Sequence, residues 1–182
     1  MPGLSDASFS RSVVYMCEHS ERGALGLIIN KPSDMKLSGL FDKVELPLGR
    51  SDLTDSPVFQ GGPVHTERGF VLHEAIKPEG QSSNESVYAS TLSIPGGLEM
   101  TTSKDVLKAI STGAGPRRVL VSLGYAAWAQ GQLESEIAEN SWLTVEADSK
   151  VIFDTPIDQR YSKALALLGL EAWMLSPDAG HA

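Results

Sequence analysis

Three side chains of this sequence have the chemistry expected of a nucleophile, a general base or a general acid: Cys17, His73 and Glu134. Cys17 and His19 lie two residues apart in a segment predicted as a strand, so their side chains are expected on one face. A thiolate and an imidazole placed together can bind zinc or form a nucleophile pair. Zinc needs three or four ligands, however, and the remaining internal histidines, His65 and His73, follow no known metal spacing. We therefore predict no metal site and a buried, structural Cys17, since free cysteine is among the most buried residue types.

His73 and the acidic side chains are also candidates for proton transfer. An imidazole suits proton transfer near neutral pH, but His73 ends a predicted strand, and we favour a hydrogen-bonded structural histidine there. Glu134 falls in the first turn of a predicted helix, where the helix dipole favours an anion. Glu136 and Glu139 share one helix face and are interpreted as solvated surface. No catalytic residue is assigned, and an enzyme that uses His73, Cys17 or Glu134 on a small molecule stays an alternative.

The glycine-rich segments match none of the common nucleotide or hydrolase motifs. Residues 23–26 (GALG) lack the third glycine and the following helix of a dinucleotide-binding loop. Residues 113–116 (GAGP) precede a predicted strand, which is the wrong order for such a loop. Residues 61–63 (GGP) form a turn without the lysine of a phosphate-binding loop, and the G-x-S-x-G elbow of serine hydrolases does not occur. The sequence thus predicts no cofactor.

The charge of the chain limits its partners. The 182 residues carry 15 lysines and arginines against 23 aspartates and glutamates, a formal net charge of −8. This excess of anions opposes long-range attraction to nucleic acid or to an anionic membrane. No apolar run approaches the roughly 20 residues of a membrane helix, and the single cysteine permits no internal disulfide. We predict a soluble, cytoplasmic protein with one domain, residues 1–182.

Two tryptophans bracket the most acidic helix predicted in the chain. Residues 124–143 read GYAAWAQGQLESEIAENSWL, with Trp128 and Trp142 on either side of a helix predicted over 131–139. This composition favours a helix at the rim of a core, with its acidic face turned toward water or a partner. Tryptophans at such a rim are core side chains or, where exposed, anchors for a protein partner.

The pattern along the whole chain predicts strands in hairpin-like pairs with helices inserted irregularly. Because strands and helices do not alternate regularly, we expect an α+β fold with a mixed, largely antiparallel sheet. Thr102–Asp105 and Thr155–Asp158 resemble capping boxes that start helices. Residues 77–86 are predicted to be a loop. The predicted strands are residues 12–19, 24–30, 57–60, 69–73, 87–94, 98–101, 118–123, 142–146, 151–153 and 171–175, and the predicted helices are residues 37–44, 102–113, 131–139 and 155–169.

Several separated motifs, taken in order, resemble the AlgH/YqgE family of bacterial proteins. They are Met1-Pro2, RSVVYMCEH (11–19), GLIINKP (26–32), QGGPV (60–64), GFVLH (69–73), MTTSKDVL (100–107), LGYAAWAQGQLESEI (123–137), NSWL (140–143), TPIDQRYSKALALLG (155–169) and AGHA (179–182). The resemblance implies a compact α+β fold with a partly barrel-like sheet flanked by helices, and it supplies no catalytic residues. Members of the family are mostly uncharacterised, and some carry a transcriptional-regulator label. They usually have a short apolar strand before the Met-Pro, so this edge strand is expected to be missing here.

The favoured hypothesis is a non-enzymatic binding or regulatory protein that recognises a protein or a small molecule and affects transcription indirectly. Its site is expected at turns and helix starts, where backbone donors and polar side chains converge. The candidate binding residues are Asn30, Lys31, Thr101, Thr102, Ser103, Tyr125, Trp128, Gln132 and Glu134. A direct DNA-binding regulator is a second alternative, disfavoured because the sequence has neither a helix-turn-helix pattern nor a basic stripe. The sequence indicates no oligomeric state.

Overall fold

The computed structural model of the protein describes residues 9–76 and 86–175. The predictions made for the first eight residues, for most of the 77–86 loop and for the tail after 175 therefore lie outside the described residues. Eight strands and five α-helices are found in the described part of the chain. The strands are β1 Val14–Ser20, β2 Gly23–Ile28, β3 Pro32–Lys36, β4 Pro57–Gln60, β5 Val64–Glu74, β6 Thr91–Ile94, β7 Leu98–Thr101 and β8 Val119–Ala129, and the helices are α1 Leu37–Lys43, α2 Lys104–Ser111, α3 Gln132–Ala138, α4 Ser149–Phe153 and α5 Arg160–Ala166.

The strands form one largely antiparallel sheet in the order β1-β2-β8-β5-β7-β6. Off this path, β4 pairs in parallel with β8 and antiparallel with β3. The sheet curls until its two end strands, β1 and β6, come into contact, which gives a nearly closed barrel. The predicted α+β class, with a mixed, largely antiparallel, partly barrel-like sheet flanked by helices, is confirmed.

Strand alternation divides the core into layers. The barrel interior takes side chains from every strand of the sheet path, including Tyr15 and Cys17 of β1. The outer face of β5 and β8 packs against α1 and α2, with Phe41, Val106 and Ile110 fully buried between them. A third cluster lies on the outer face of β2 and β8, under α3. Its members are Ala24, Ala126, Trp128 and Leu133, with Phe9, Val14, Met16, Ile137 and Trp142 packed against them.

Three predicted strands in the last quarter of the chain are wrong. Residues 142–148 form neither helix nor strand, and 151–153 lie in α4. Residues 171–175 contain a short 3₁₀ turn, Ala172–Met174. The alternating apolar residues of 142–146 imitate a strand, but Leu143 and Val145 are exposed and Trp142 turns its indole toward α3. Asp148 starts α4 because its side chain accepts a hydrogen bond from the Lys150 backbone amide.

Neither predicted capping box forms. The Thr102 hydroxyl donates to the Ser90 carbonyl, and the Ser103 hydroxyl faces two acceptors, the Ala89 carbonyl and Asp105 Oδ1, so neither accepts a hydrogen bond from a helix amide. Thr155 donates to the Lys150 carbonyl, and the chain after it makes a 3₁₀ turn, Ile157–Gln159, before α5 begins. In both places the hydroxyl predicted to cap the helix donates instead to a backbone carbonyl outside that helix.

The other predicted strands were found in the structure, but several of their ends were misplaced. β4 and β7 match their predicted bounds. β3 was missed, and β5 and β8 each extend to 11 residues, well beyond the predicted apolar runs. β6 starts only at Thr91 because Ser90 has a φ of 49°, which interrupts the predicted 87–94 strand.

Candidate functional site

The residues with the most reactive chemistry lie in three separate surroundings. Cys17 points into the barrel interior, where it is 4% exposed. Loss of solvation raises the pKa of its thiol to about 12. The thiolate that a nucleophile or a metal ligand requires does not form near neutral pH in this position. The prediction of a buried, structural Cys17 is confirmed.

Cys17 and His19 do not share a face, contrary to the strand pattern. The pairing of β1 with β2 shifts by one residue between Met16 and Glu18, so Cys17 is the extra residue of a β-bulge. The bulge reverses the alternation, and His19 points outward to Glu134 of α3, with Nε2 and Oε1 2.5 Å apart. The hydrogen bond from His19 lowers the pKa of Glu134. About half of each side chain is exposed, so this is a surface contact.

His73 is fully buried on the outer face of β5 and makes two hydrogen bonds. Its Nδ1 lies 2.8 Å from the Glu74 carbonyl oxygen and donates to it, while Nε2 lies 2.9 Å from the Thr101 hydroxyl. The Thr101 hydroxyl is in turn 2.7 Å from that of Thr91. Tyr88 covers the imidazole edge to face. The prediction of a hydrogen-bonded histidine is confirmed, and neither ring nitrogen has access to a substrate.

One buried acid was not predicted from the sequence. Glu99 lies opposite His73 in the ladder between β7 and β5 and is 6% exposed. Its Oε1 accepts a hydrogen bond of 2.8 Å from Ser86, and its Oε2 has no partner among the described residues. Nothing in the local pattern LEMT distinguishes this glutamate from a solvent-facing strand residue, because the residues that bury it come from elsewhere in the chain.

Glu136 organises the aromatic side chains around α3 and is not part of a solvated face, which corrects the sequence interpretation. Its Oε2 accepts hydrogen bonds from the indole nitrogens of Trp128 (2.9 Å) and Trp142 (2.7 Å), and its Oε1 accepts one from Gln132 (2.9 Å). Burial alone would raise the pKa of Glu136, but these three hydrogen bonds outweigh burial and lower it. Glu139 is exposed, as predicted.

The two indoles form one wall of an apolar groove. The rings of Trp128 and Trp142 meet edge to face with centroids 5.6 Å apart, and Phe9 packs on both. Beside them are two adjoining cavities of about 160 Å³ and 140 Å³, which we call the tryptophan groove. It runs over the outer face of β1, between α3, the irregular segment 142–148 and α5. Val13, Val14, Met16, Val145 and Ala164 line both cavities.

Apolar surface in the described part of the chain is concentrated at this groove. Among the described residues, the exposed large hydrophobic side chains are the following seven: Val87, Leu143, Val145, Leu167, Leu168, Trp173 and Met174. Four of the seven line the groove, namely Leu143, Val145, Leu167 and Leu168. The charged residues that line it, Glu146 and Asp148, are both acidic. Arg11 lies nearby, with its guanidinium 5.1 Å from the centre of the Tyr161 ring.

The candidate binding residues do not converge on one cavity. Trp128 lines the tryptophan groove, and Gln132 and Glu134 lie beside it on α3. Thr102 and Tyr125 line a second cavity, of about 360 Å³, at one end of the barrel. Lys31 lines a third, of about 510 Å³, together with Ser33, Gln60 and Gly62.

The other three candidates make hydrogen bonds within the fold. The Asn30 side chain accepts a hydrogen bond from the Val13 amide and donates to the Arg11 carbonyl, so it ties the start of β1 to the end of β2. Thr101 is buried against His73. Ser103 anchors the turn at Ala89. All three side chains thus hydrogen-bond to residues distant in the sequence, which explains why polar residues occupy these positions.

No group of three or more histidine, cysteine, aspartate or glutamate side chains is placed to hold a metal ion within residues 9–76 and 86–175. In the same residues, no helix has the length and apolar character needed to cross a membrane.

Comparisons with known proteins give consistent matches along the chain. A model of the AlgH-like family matches residues 1–173. A UPF0301 protein of a Polaromonas species is 75% identical over 182 residues, covering 100% of this chain and 91% of that protein. A UPF0301 protein of Paracidovorax citrulli is 71% identical over 196 aligned residues, with 100% and 92% covered.

Two solved structures share the fold. The solution structure of the AlgH protein from Pseudomonas aeruginosa has a TM-score of 0.75 at 45% identity and covers 100% of this chain and 92% of its own. The X-ray structure of a Corynebacterium diphtheriae protein has a TM-score of 0.69 at 20% identity, covering 90% and 81%, and shows the fold alone.

Proposed function

The chain belongs to the AlgH-like family, and we propose that it is a non-enzymatic binding protein that docks a protein partner in the tryptophan groove. One observation carries the proposal: four of the seven large hydrophobic side chains exposed in the described residues line this single groove. Any effect on transcription passes through that partner and not through contact with DNA. A cytoplasmic location belongs to the same proposal, since the single cysteine needs no oxidising compartment.

The groove has the composition of a protein-recognition site. Large apolar patches that a monomer leaves exposed commonly mark interaction surfaces. Tryptophan is enriched among the residues that contribute most to binding free energy. Trp128 and Trp142 are already fixed in orientation by Glu136, so binding costs little of their conformational entropy.

The charge around the groove selects the chemistry of the partner. Glu146 and Asp148 line it, Glu134, Glu136 and Glu139 lie on the adjoining helix or at its end, and the whole chain carries a net charge of −8. A segment with apolar anchors flanked by lysine or arginine complements this arrangement. We therefore infer that the partner presents a basic, amphipathic segment.

The enzyme alternative gains no comparable support. Cys17 lies inside the barrel, His73 is buried on the opposite face of the sheet wall, and Glu134 lies on the surface. An acid–base or nucleophilic mechanism needs at least two such groups within hydrogen-bond reach of one cavity. These three do not meet that requirement, whereas the exposed apolar side chains of the groove support the binding proposal.

A peptide titration tests the proposal directly. The probe is a synthetic amphipathic peptide with leucines at helical spacing and lysines elsewhere, and its matched control carries glutamates in place of the lysines. The protein carries Trp173→Phe, because Trp173 is 76% exposed and would otherwise add emission from outside the groove. We expect the lysine peptide to shift the emission of Trp128 and Trp142 saturably, and we expect added salt to weaken this binding.

Matched variants locate the binding site. Leu143 in the groove and Val87 outside it are similarly exposed, 44% and 46%. Leu143→Ser should weaken binding of the lysine peptide about tenfold, the effect of losing one apolar anchor, and Val87→Ser should leave it unchanged. The proposal is overturned if neither peptide binds, if the glutamate peptide binds as well, or if the two variants behave alike.

A further inference from the structure

One end of the barrel is open. The cavity there has a volume of about 360 Å³, which falls in the range of roughly 300–1,000 Å³ typical of ligand pockets. Each of the six strands of the sheet path contributes to its lining, so the cavity is the mouth of the barrel. The lining residues are Glu18, Leu25, Arg68, Phe70, Ser90, Thr91, Leu92, Met100, Thr102 and Tyr125.

The mouth is apolar at its base. Phe70 and Met100 are buried there, 3% and 5% exposed, and the half-buried Leu25, Leu92 and Tyr125 form the walls. The Phe70 and Tyr125 rings meet edge to face with their centroids 5.3 Å apart. A flat or branched hydrocarbon group therefore finds aromatic and thioether surface at this depth.

The rim supplies hydrogen-bond donors that have no hydrogen-bonding partner among the described residues. The Arg68 guanidinium lies 5.9 Å from the centre of the Phe70 ring, and within residues 9–76 and 86–175 it forms no ion pair. The Tyr125 hydroxyl makes no hydrogen bond to any residue the structure describes. By contrast, Arg118 at the other end of the barrel is held by Glu74 and Asp154.

From this arrangement we propose that the barrel mouth binds a small organic carboxylate with an apolar body. The Arg68 guanidinium lies over the Phe70 ring, and its fork of N–H groups matches a carboxylate in bidentate geometry. The apolar body occupies the base of the mouth, against Phe70 and Met100. Glu18 on the rim and the net charge of −8 disfavour a dianion such as a phosphate ester, so a monoanion is selected. The inference is independent of the tryptophan groove.

The test is an NMR titration of the isotope-labelled protein with 3-phenylpropionate, in which the amide chemical shifts report binding. Saturable shifts are expected at Ser90–Leu92, Thr102 and Tyr125. Arg68→Gln should weaken binding about tenfold or more, the loss of a charge-assisted hydrogen bond. Arg68→Lys keeps the charge but not the fork and should give an intermediate affinity. Arg117→Gln is the control, because it makes the same change of net charge at an exposed arginine at the other end of the barrel. Its affinity for 3-phenylpropionate should stay within about twofold of the wild-type value.

Two further variants show whether the mouth itself holds the carboxylate. Tyr125→Phe removes only the hydroxyl and is expected to cost a few-fold in affinity. Leu143→Ser alters the tryptophan groove and should leave 3-phenylpropionate binding unchanged. The proposal is wrong if 3-phenylpropanol binds as tightly as the carboxylate, if 3-phenylpropylamine binds more tightly, or if Arg68→Gln binds like the wild type. Absence of any saturable shift at the mouth overturns it as well.

Discussion

At the scale of single residues, the side chains with the most reactive chemistry stabilise the fold. Cys17 fills the barrel interior at a β-bulge, His73 closes a hydrogen-bonded chain with Thr101, and Glu136 fixes two indoles. Each of these side chains is either buried away from solvent or hydrogen-bonded to a buried neighbour. Neither condition leaves the side chain available to a substrate. The proposed binding surfaces use other residues, which are apolar and acidic at the tryptophan groove and apolar with one arginine and one glutamate at the barrel mouth.

Cys17 is expected to resist alkylation in the native protein. Burial raises the pKa of its thiol from an ordinary value near 9 to about 12, and only the thiolate reacts. Iodoacetamide at pH 8 should therefore leave the folded protein unmodified, and the same reagent in urea should add one carbamidomethyl group, read by intact mass. Rapid modification of the folded protein at pH 8 would contradict this placement of the thiol.

Glu136→Ala should destabilise the fold by about 1–3 kcal/mol, because it leaves the Trp128 and Trp142 indole N–H groups without an acceptor. The hydrogen bonds lower the pKa of Glu136 below its unfolded value. Its contribution is therefore fully present above the ordinary carboxyl pKa and is lost as the pH falls through the lowered value. Urea unfolding at pH 7 and in the acid range measures both effects.

Glu139→Ala is the matched control, three residues further along the same helix face. Glu139 is exposed and its nearest partner, the Ser135 hydroxyl, is 3.4 Å away. Its removal should change the free energy of unfolding by less than about 0.5 kcal/mol. Equal losses in the two variants would show that the indole hydrogen bonds contribute nothing specific.

At the scale of elements, the sequence pattern predicted those helices and strands whose position depends on burial and turn residues nearby in the chain. The stripe of α1 was found because burial on one face imposes a helical period on the sequence, and β4 and β7 were found as short runs bordered by glycine- and proline-rich turns. The missed ends are the mostly polar residues 64–68 of β5 and the glycine- and alanine-rich residues 124–129 of β8, which pair with strands distant in sequence. The strand predicted over 142–146 was wrong because no strand of the described chain pairs with it. One wall of the tryptophan groove comes from α5, about 30 residues after Trp128, and no local pattern brings the two together.

The turn between β4 and β5 packs directly on the backbone of β8, and glycines on both sides, Gly62 in the turn and Gly124 in β8, allow this close approach. A Cβ added at Gly62, whose φ is 153°, would lie 2.1 Å from the Tyr125 carbonyl carbon, and one at Gly124, whose φ is 73°, would lie 2.4 Å from the Gly62 oxygen. Gly62→Ala should therefore cost at least about 2 kcal/mol through strain and displaced backbone. Thermal or urea unfolding measures the loss.

Gly69→Ala provides the comparison within the same pair of strands. A Cβ at Gly69 meets no atom within 4 Å, so the substitution should stay within about 1 kcal/mol of the wild type. If both alanine variants unfold at the same urea concentration as the wild type, the backbones of the turn and β8 do not pack as tightly as the structure indicates.

At the scale of the whole molecule, two open surfaces lie on different parts of one barrel. The tryptophan groove covers the outer face of β1, and the mouth opens into the barrel interior. Three cations of the described chain form ion pairs with acids: Arg50 with Asp52, Lys36 with Asp55, and Arg118 with Glu74 and Asp154. The net charge of −8 favours basic partners at the groove, whereas Arg68 places a cation at the mouth.

The same charge distribution predicts no binding to duplex DNA. Affinity for a phosphate backbone comes largely from counterions released by clustered lysines and arginines. Here the net charge is −8, and in the adjacent pair Arg117–Arg118 the second guanidinium is already neutralised by its ion pairs. In a fluorescence-anisotropy titration at low ionic strength, a labelled mixed-sequence duplex should show no saturable change with this protein. The lysine peptide used for the groove is the positive control, because it should bind the duplex in the same assay. A saturable signal that falls steeply with added salt would restore the direct DNA-binding alternative.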